Sequence, residues 1–479
     1  MGRIMGLEHE YAALGEFSGR MRPPSATLII QGIKNHAEKL GGLINSDDRL
    51  WLPNGGCLYH DFGHPEYATP ECASVRDAVL YSRAGDIVLR KIFPNLIFFK
   101  NNLSSVYGGT KKLNTFGCHE NYWTAFRRYD DVDEKKECAA LLMPFLASRQ
   151  IIDGAGWVNN EGDFFLSQRA QIIHYSESEN ALVSGLNHPE RPIFKFDDWV
   201  GRGRGGCARL HLSVGDANIL DFCLFLKMGI TSLVISMFED GALPDWTCDD
   251  PQVFAAVSRD LTGREDVIEL DSGKCFSALA IQNHCCKEAN RYLKSKTKRS
   301  SKKYKELELI AGLWHKTLKA IATDDLNWLV GRLDHRTKRF LMENAKTGDN
   351  PEHRRRVDLA YHKINEDGLG YKIRRGFANT RLVEENEVLR AAKVCPSGSR
   401  AEVRGRLISK VLREKNYAKV YDFLEWDINW QSIACWGAYT HGLTSEKIEM
   451  REMLDPSNYK LIYGRRFFEK LKKLFKRSA

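Results

Sequence analysis

Gly6-Leu7-Glu8-His9-Glu10-Tyr11 is the stretch on which the fold class turns. In an extended strand alternate side chains share a face, so Glu8 and Glu10 project together, about 7 Å apart. Residues 57–61, 95–99 and 207–214 read as further strands, and the first strands are half polar, with Glu, His, Asp and Arg at every second position. Strands of a doubly wound parallel sheet are nearly all apolar, whereas an antiparallel sheet can keep one working face. Helical periodicity runs through 26–40, 76–92, 136–150, 217–238, 277–295 and 304–332. The expected class is α+β: an antiparallel sheet with a concave active-site face, flanked by helices.

At 479 residues the chain exceeds what a single hydrophobic core usually organises. The stretch Lys393-Val394-Cys395-Pro396-Ser397-Gly398-Ser399-Arg400 has linker composition. It separates an expected catalytic domain, residues 1–392, from a small basic C-terminal domain, residues 400–479. No apolar run reaches the ~18–20 residues of a membrane span, and the start of the chain has no apolar leader segment. A cytoplasmic protein without stable membrane association is expected. Its 12 cysteines include no C-x-x-C and no Cys/His array, which argues against structural zinc and for reduced thiols.

Net charge is +9, concentrated in two runs: Lys287 to Lys305, and Arg465 to Arg477 at the end of the chain. Such runs serve equally as solvated helix faces or as fields that draw an acidic partner.

Two carboxylates aimed together repel, and a fold tolerates them mainly where cations lie between. Hard, oxygen-seeking Mg²⁺ suits such a pair, although an exposed strand face also accounts for E-x-E alone. A second element, Tyr59-His60-Asp61-Phe62-Gly63-His64-Pro65-Glu66, sets Tyr59 and Asp61 on one strand face and swings Glu66 round beside them. Glu66 could join Glu8 on a metal, and Asp61 could act as a base. A third, Gly117-Cys118-His119-Glu120-Asn121-Tyr122, reads as a site loop or strand end. In a fourth, Arg209 and His211 share the polar face of a strand, where they suit phosphate oxygens and a metal. Gly201-Arg202-Gly203-Arg204-Gly205-Gly206 imitates a dinucleotide fingerprint but precedes a strand and opens no helix. No Walker motif occurs, so any ATP is held otherwise. Together the elements describe a face on which metals clamp phosphates, Arg209 offsets charge, and a carboxylate accepts a phosphoryl group to become an acyl phosphate.

These segments resemble the Pup ligase/Pup deamidase family, glutamine synthetase-like carboxylate–amine ligases. The match extends through Lys100-Asn101-Asn102, Leu166-Ser167-Gln168-Arg169-Ala170 and Asp358-Leu359-Ala360-Tyr361-His362. The resemblance implies Mg²⁺ contacts from Glu8, Tyr59 and Glu66, with Glu10, His119 and His211 as further metal or phosphate neighbours. It makes Asp61 the catalytic aspartate and implies that Thr69 touches the ATP, beside Arg209, whose own chemistry suits phosphate oxygens. It also implies an acidic Pup-like modifier as partner in place of nucleic acid, lysine-bearing protein substrates, and a link to the proteasome. The sequence departs from the family's pattern in two places. Cys57 stands where an ATP-binding Arg is usual, and Phe423 replaces a Trp that stacks on the nucleotide, with Trp426 close by.

Ligases of the family lack a long insertion after the first motif, and here only residues 12–57 separate Tyr11 from Leu58. Against this, two residues between Asp61 and His64 match the deamidase spacing. The expectation is a ligase that joins the modifier's C-terminal glutamate to lysine through an acyl phosphate. The alternative is a deamidase or depupylase working with bound nucleotide. A non-catalytic modifier-binding homologue and a small-molecule γ-glutamyl ligase are the remaining readings.

Overall fold

The structure, a computed structural model, describes residues 3–44, 48–61, 63–103, 115–125, 132–173, 193–197, 207–296, 302–344, 350–377 and 380–413. Phe423, Trp426, the glycine-rich loop 201–206, the closing basic run and most of the expected C-terminal domain lie outside the described residues.

Eight strands form the central sheet: β1 (Met5–Glu10), β2 (Leu43–Ile44), β3 (Leu50–Trp51), β4 (Cys57–Asp61), β5 (His64–Ala68), β6 (Cys118–Ala125), β7 (Phe194–Asp197) and β8 (Cys207–Leu212). Their order is β7-β8-β6-β1-β5-β4-β3-β2, and every neighbouring pair is antiparallel. The expected strand at 95–99 is Leu96–Phe99 but belongs to a separate three-stranded sheet, against Ala12–Phe17.

Alternation explains how the central sheet is covered. Met5 and Leu7 of β1, Leu58 of β4, Tyr67 of β5, Tyr122 of β6 and Leu210 and Leu212 of β8 are all buried. Helix α1 (Ala26–Leu40) and helix α2 (Val75–Ile92) pack on this reverse side, as does helix α4 (Asp221–Glu239), while helix α3 (Val132–Ser148) closes the same core. Serine caps start two of them: Ser25 Oγ accepts from Leu28 N–H and Ser74 Oγ from Asp77 N–H. By length and composition α4 could cross a membrane, but 89% of its apolar window is buried inside the fold. It is the central helix of the core.

The expected helix at 217–238 starts four residues late, because the Ile219 and Leu220 N–H groups donate to the buried Asp334 carboxylate at 3.2 and 3.1 Å. The expected 304–332 helix divides into α6 (Lys302–Thr323), which follows α5 (Ala278–Ser295), and a short turn Leu326–Leu329. Asp324 adopts φ +52° at the break and the Asp325 side chain caps the new turn. The last described helix, α7 (Arg400–Arg413), is tied to the sheet by Arg404. Its buried guanidinium donates to Gly55 O and to both oxygens of Glu71.

Candidate active site

Register partners in an antiparallel sheet project to the same side. Glu8 stands opposite His119, Glu10 opposite Glu66, Glu66 opposite Tyr59, and Asn121 opposite His211. The face away from the helices therefore gathers Glu8, Glu10, Tyr59, Asp61, Glu66, His119 and His211, with Arg209 on the same face of β8. The sequence expectation that Glu8 and Glu10 share a working face agrees with this register.

The residues sort into two clusters. In one, ligand atoms of Glu8, His119 and His211 all lie within 4.8 Å of one another; in the other, those of Glu10, Asp61 and Glu66 do. Glu66 thus groups with Glu10 and Asp61, while the charge of Glu8 also acts on it. Around Glu8, His119 Nδ1 lies at 3.4 Å, Arg209 Nη1 at 3.3 Å and His211 Nδ1 at 3.8 Å. The two imidazole rings lie 4.7 Å apart, and His211 Nδ1 is 3.2 Å from Asn121 Oδ1. Burial alone would raise the Glu8 carboxyl, but the His119 hydrogen bond and the Arg209 and His211 charges hold it well below the usual carboxylate range.

The second cluster has less cationic help. Burial, and then the Glu8 and Glu10 charges, push Glu66 well above the ordinary range, although Tyr59 hydrogen-bonds to it. Asp61 is also raised, by burial and by Glu10. Burial would raise Glu10 as well, yet its hydrogen bond with His64, at 3.3 Å, and the charge of His119 hold it down. Three clustered carboxylates of this kind form an all-oxygen donor set, the type that suits Mg²⁺. The Glu8–His119–His211 set mixes one carboxylate with two imidazoles and suits a borderline divalent ion or a phosphate oxygen.

Gly117 makes the approach of the clusters feasible. A Cβ there would fall 2.4 Å from His119 Nε2 and 2.8 Å from Glu10 Oε1. Its carbonyl meanwhile accepts from Glu10 N–H at 3.0 Å, fixing the acid against β6.

Thr69, just past β5, is buried, and its Oγ1 accepts from Leu7 N–H at 2.9 Å. Cys57 lies buried on the site face as register partner of Ala68. Burial pushes its thiol up to about 12, so it brings no charge. Of the two readings of the third motif, strand end is the one found: β6 begins within it at Cys118, and Glu120 falls on the reverse face as register partner of Leu7. There it meets Arg149 in a fully buried bidentate pair, at 2.7 and 3.0 Å, which is how a strand interior accommodates an acid.

Sequence reasoning passed over three side chains of this face: His64 on Glu10, Asn121 on His211, and Arg49, whose guanidinium stacks 4.3 Å above the Tyr59 ring. Arg49 was detectable by counting outward from the β3–β4 hairpin, which sets position 49 opposite position 59.

A family model described as Pup-ligase protein matches residues 3–434. A Pup–protein ligase of Kribbella flavida is 33% identical over 454 residues, covering 90% of this chain and 94% of that protein. One from Kineococcus radiotolerans is 32% identical with the same coverage. Among solved structures, the complex of the prokaryotic ubiquitin-like protein Pup with its ligase PafA matches with a TM-score of 0.73 at 28% identity, covering 86% of this chain and 83% of that one. PafA in complex with ADP matches at 0.67 and 27%, over 80% and 84%.

Proposed function

This chain belongs to the Pup-ligase family, and on that premise we propose that it joins the C-terminal glutamate of an acidic Pup-like modifier to lysines of substrate proteins, with ATP as phosphoryl donor. The observation that carries the reading is the pair of ligand clusters on one sheet face, Glu8–His119–His211 beside Glu10–Asp61–Glu66. ATP is supported by the ADP-bound PafA relative, and the Pup-like partner by the PafA–Pup complex.

Mg²⁺ is part of the proposal, with the Glu10–Asp61–Glu66 oxygens and Tyr59 as its surroundings; when bound, such an ion offsets phosphate charge and aligns the transferring group. The modifier's terminal carboxylate takes the γ-phosphoryl group, giving an acyl phosphate and ADP. A lysine amine then attacks the acyl carbon, the C–O bond to phosphate breaks, and inorganic phosphate leaves. Asp61 takes the ammonium proton. Its raised affinity for protons, from burial and from Glu10, suits that task. Arg209 and His211 stand beside Glu8 at the other end of the face, where they offset charge on the phosphoryl oxygens.

The same reading divides the chain into a catalytic unit, residues 1–392, and a basic unit from residue 400. The bonds from Arg404 to Gly55 and Glu71 fasten the start of the second unit to the first. It also makes the protein a cytoplasmic component of a proteasome-linked conjugation pathway.

The amidase alternative is favoured by the tight β4–β5 hairpin, in which Asp61 pairs with His64. Purified protein, ATP with Mg²⁺, and a Pup-like protein ending in Glu or in Gln separate the two by mass spectrometry. Covalent joining of the Glu form to a lysine-bearing protein, with one ATP consumed per bond, is expected. Release of ammonia from the Gln form with no joining would replace the ligase reading by the amidase one.

A further inference from the structure

The acids of the site occupy the middle strands, β1, β5 and β4, and Arg209 supplies a cation at the β8 side. The opposite side, toward β3, has its own. Leu50 pairs with Leu58 and Trp51 with Cys57, so the next position outward, Arg49, stands opposite Tyr59. Leu50 is buried in the reverse-face core with Leu58, and alternation then turns Arg49 to the site face.

The register cannot easily slip. Leu52 N–H donates to Gly56 O, Gly55 N–H to Leu52 O, and Asn54 bridges Gly56 N–H and the Tyr67 hydroxyl. Arg404 then clamps Gly55 from α7. The strand that Arg49 leads into is therefore held at a fixed position along β4.

We propose that Arg49, stacked on Tyr59 at the β3 side of the face, binds the polyphosphate of the nucleotide, in partnership with Arg209 across the sheet. The inference rests on the ligase reading above. The Arg49 guanidinium carbon lies 4.3 Å from the centre of the Tyr59 ring, which sets a permanent positive charge over the site face, and a guanidinium is the side-chain group best matched to phosphate oxygens. Its charge is felt at Cys57, Tyr59 and Asp61 alike, where it opposes the effect of the neighbouring acids. A polyphosphate carries several negative charges spread over its length and calls for cations at more than one point. A single terminal carboxylate does not. Neutral Cys57 cannot fill that role.

The test is calorimetric binding of four ligands, ATP, ADP, AMP and adenosine, each with Mg²⁺, to the full chain and to Arg49→Gln and Arg49→Lys, with a peptide carrying the modifier's C-terminus titrated alongside. Losing one charge-assisted contact weakens ATP and ADP roughly 10- to 100-fold. AMP loses less, adenosine stays within about 2-fold, and Lys recovers part of the loss. An equal loss for all four ligands would make Arg49 a packing residue only, and no loss for any would remove it from the site. A loss confined to a peptide with the modifier's C-terminus would reassign it to that carboxylate. If the wild-type chain binds no nucleotide at all, the ligase reading fails as well; if only the variants are indifferent, this inference fails alone.

Discussion

Glu10 and Glu66 are register partners across the β1–β5 ladder, two carboxylates side by side on a partly dry face. Like charges directly opposite each other destabilise a sheet. The fold keeps them there with Asp61 as a third member of the same cluster.

Removing one charge should therefore stabilise the chain when no divalent ion is present. For Glu66→Gln the expected change is about +1 kcal/mol in chemical denaturation with chelator. The same variant should lose most of the Mg²⁺-dependent part of ATP binding in calorimetry. Lower stability together with unchanged ATP affinity would remove Glu66 from the metal cluster.

Asp61→Asn tests the base directly. It keeps the shape but cannot take a proton, so ligation turnover should fall roughly 10²- to 10⁴-fold. Mg²⁺-dependent ATP affinity should also fall, because Asp61 belongs to the same cluster, but by far less than turnover does. A variant with near-normal turnover would assign the proton transfer elsewhere.

Behind the face, Glu120 and Arg149 form an ion pair sealed from solvent. Removing Glu120 leaves Arg149 with Asp153, whose carboxylate lies 2.6 Å from its Nε, so the cost falls at the lower end of the about 3–5 kcal/mol of a broken buried pair. Glu120→Gln should lower stability by that order. Arg149→Met strips Asp153 of its partner as well, yet the double variant should lose less than the two single losses together, as measured by a denaturation double-mutant cycle.

Acid should weaken the fold through buried neutral histidines. Burial, and then Arg336, lowers His335 from 6.5 to about 3, and burial likewise holds His9 and His362 well below the ordinary value. Between those limits the unfolded chain binds more protons, so stability rises with pH across that window. It is fully present above about 6.5 and is lost as the pH falls toward 3. At pH 5, His335 alone should cost about 2 kcal/mol. His335→Gln, which can still donate to Ile151 O as Nε2 does, should flatten the slope of Tm against pH between 7 and 5.

How much was legible depended on whether a signal was local. The helix at 26–40 and the strand at 57–61 match Ala26–Leu40 and Cys57–Asp61, because a serine cap, apolar periodicity and strand alternation all lie within their own residues. The two faces of β1 were readable for the same reason. The delayed start of α4 was not, since it depends on Asp334, more than a hundred residues along the chain. Nor was the pairing of Glu66 with Glu10: the ladder that sets β1 against β5 decides it, and no local spacing records it. The burial of Glu120 was not legible, because its partner, Arg149, comes from beyond the end of α3. Arg49 was missed because its role arises only when a two-residue strand pairs with β4.

Strand β1 serves two masters, with Met5, Leu7 and His9 committed to the interior and Glu8 and Glu10 to the reaction. Loss of a single codon between positions 5 and 10 would exchange these assignments along part of the strand. Carboxylates would turn into the oily side and leucine into the wet one. An error that trims the protein by one part in several hundred would thus damage folding and chemistry together, and this stretch should admit conservative replacement far more readily than any change in length.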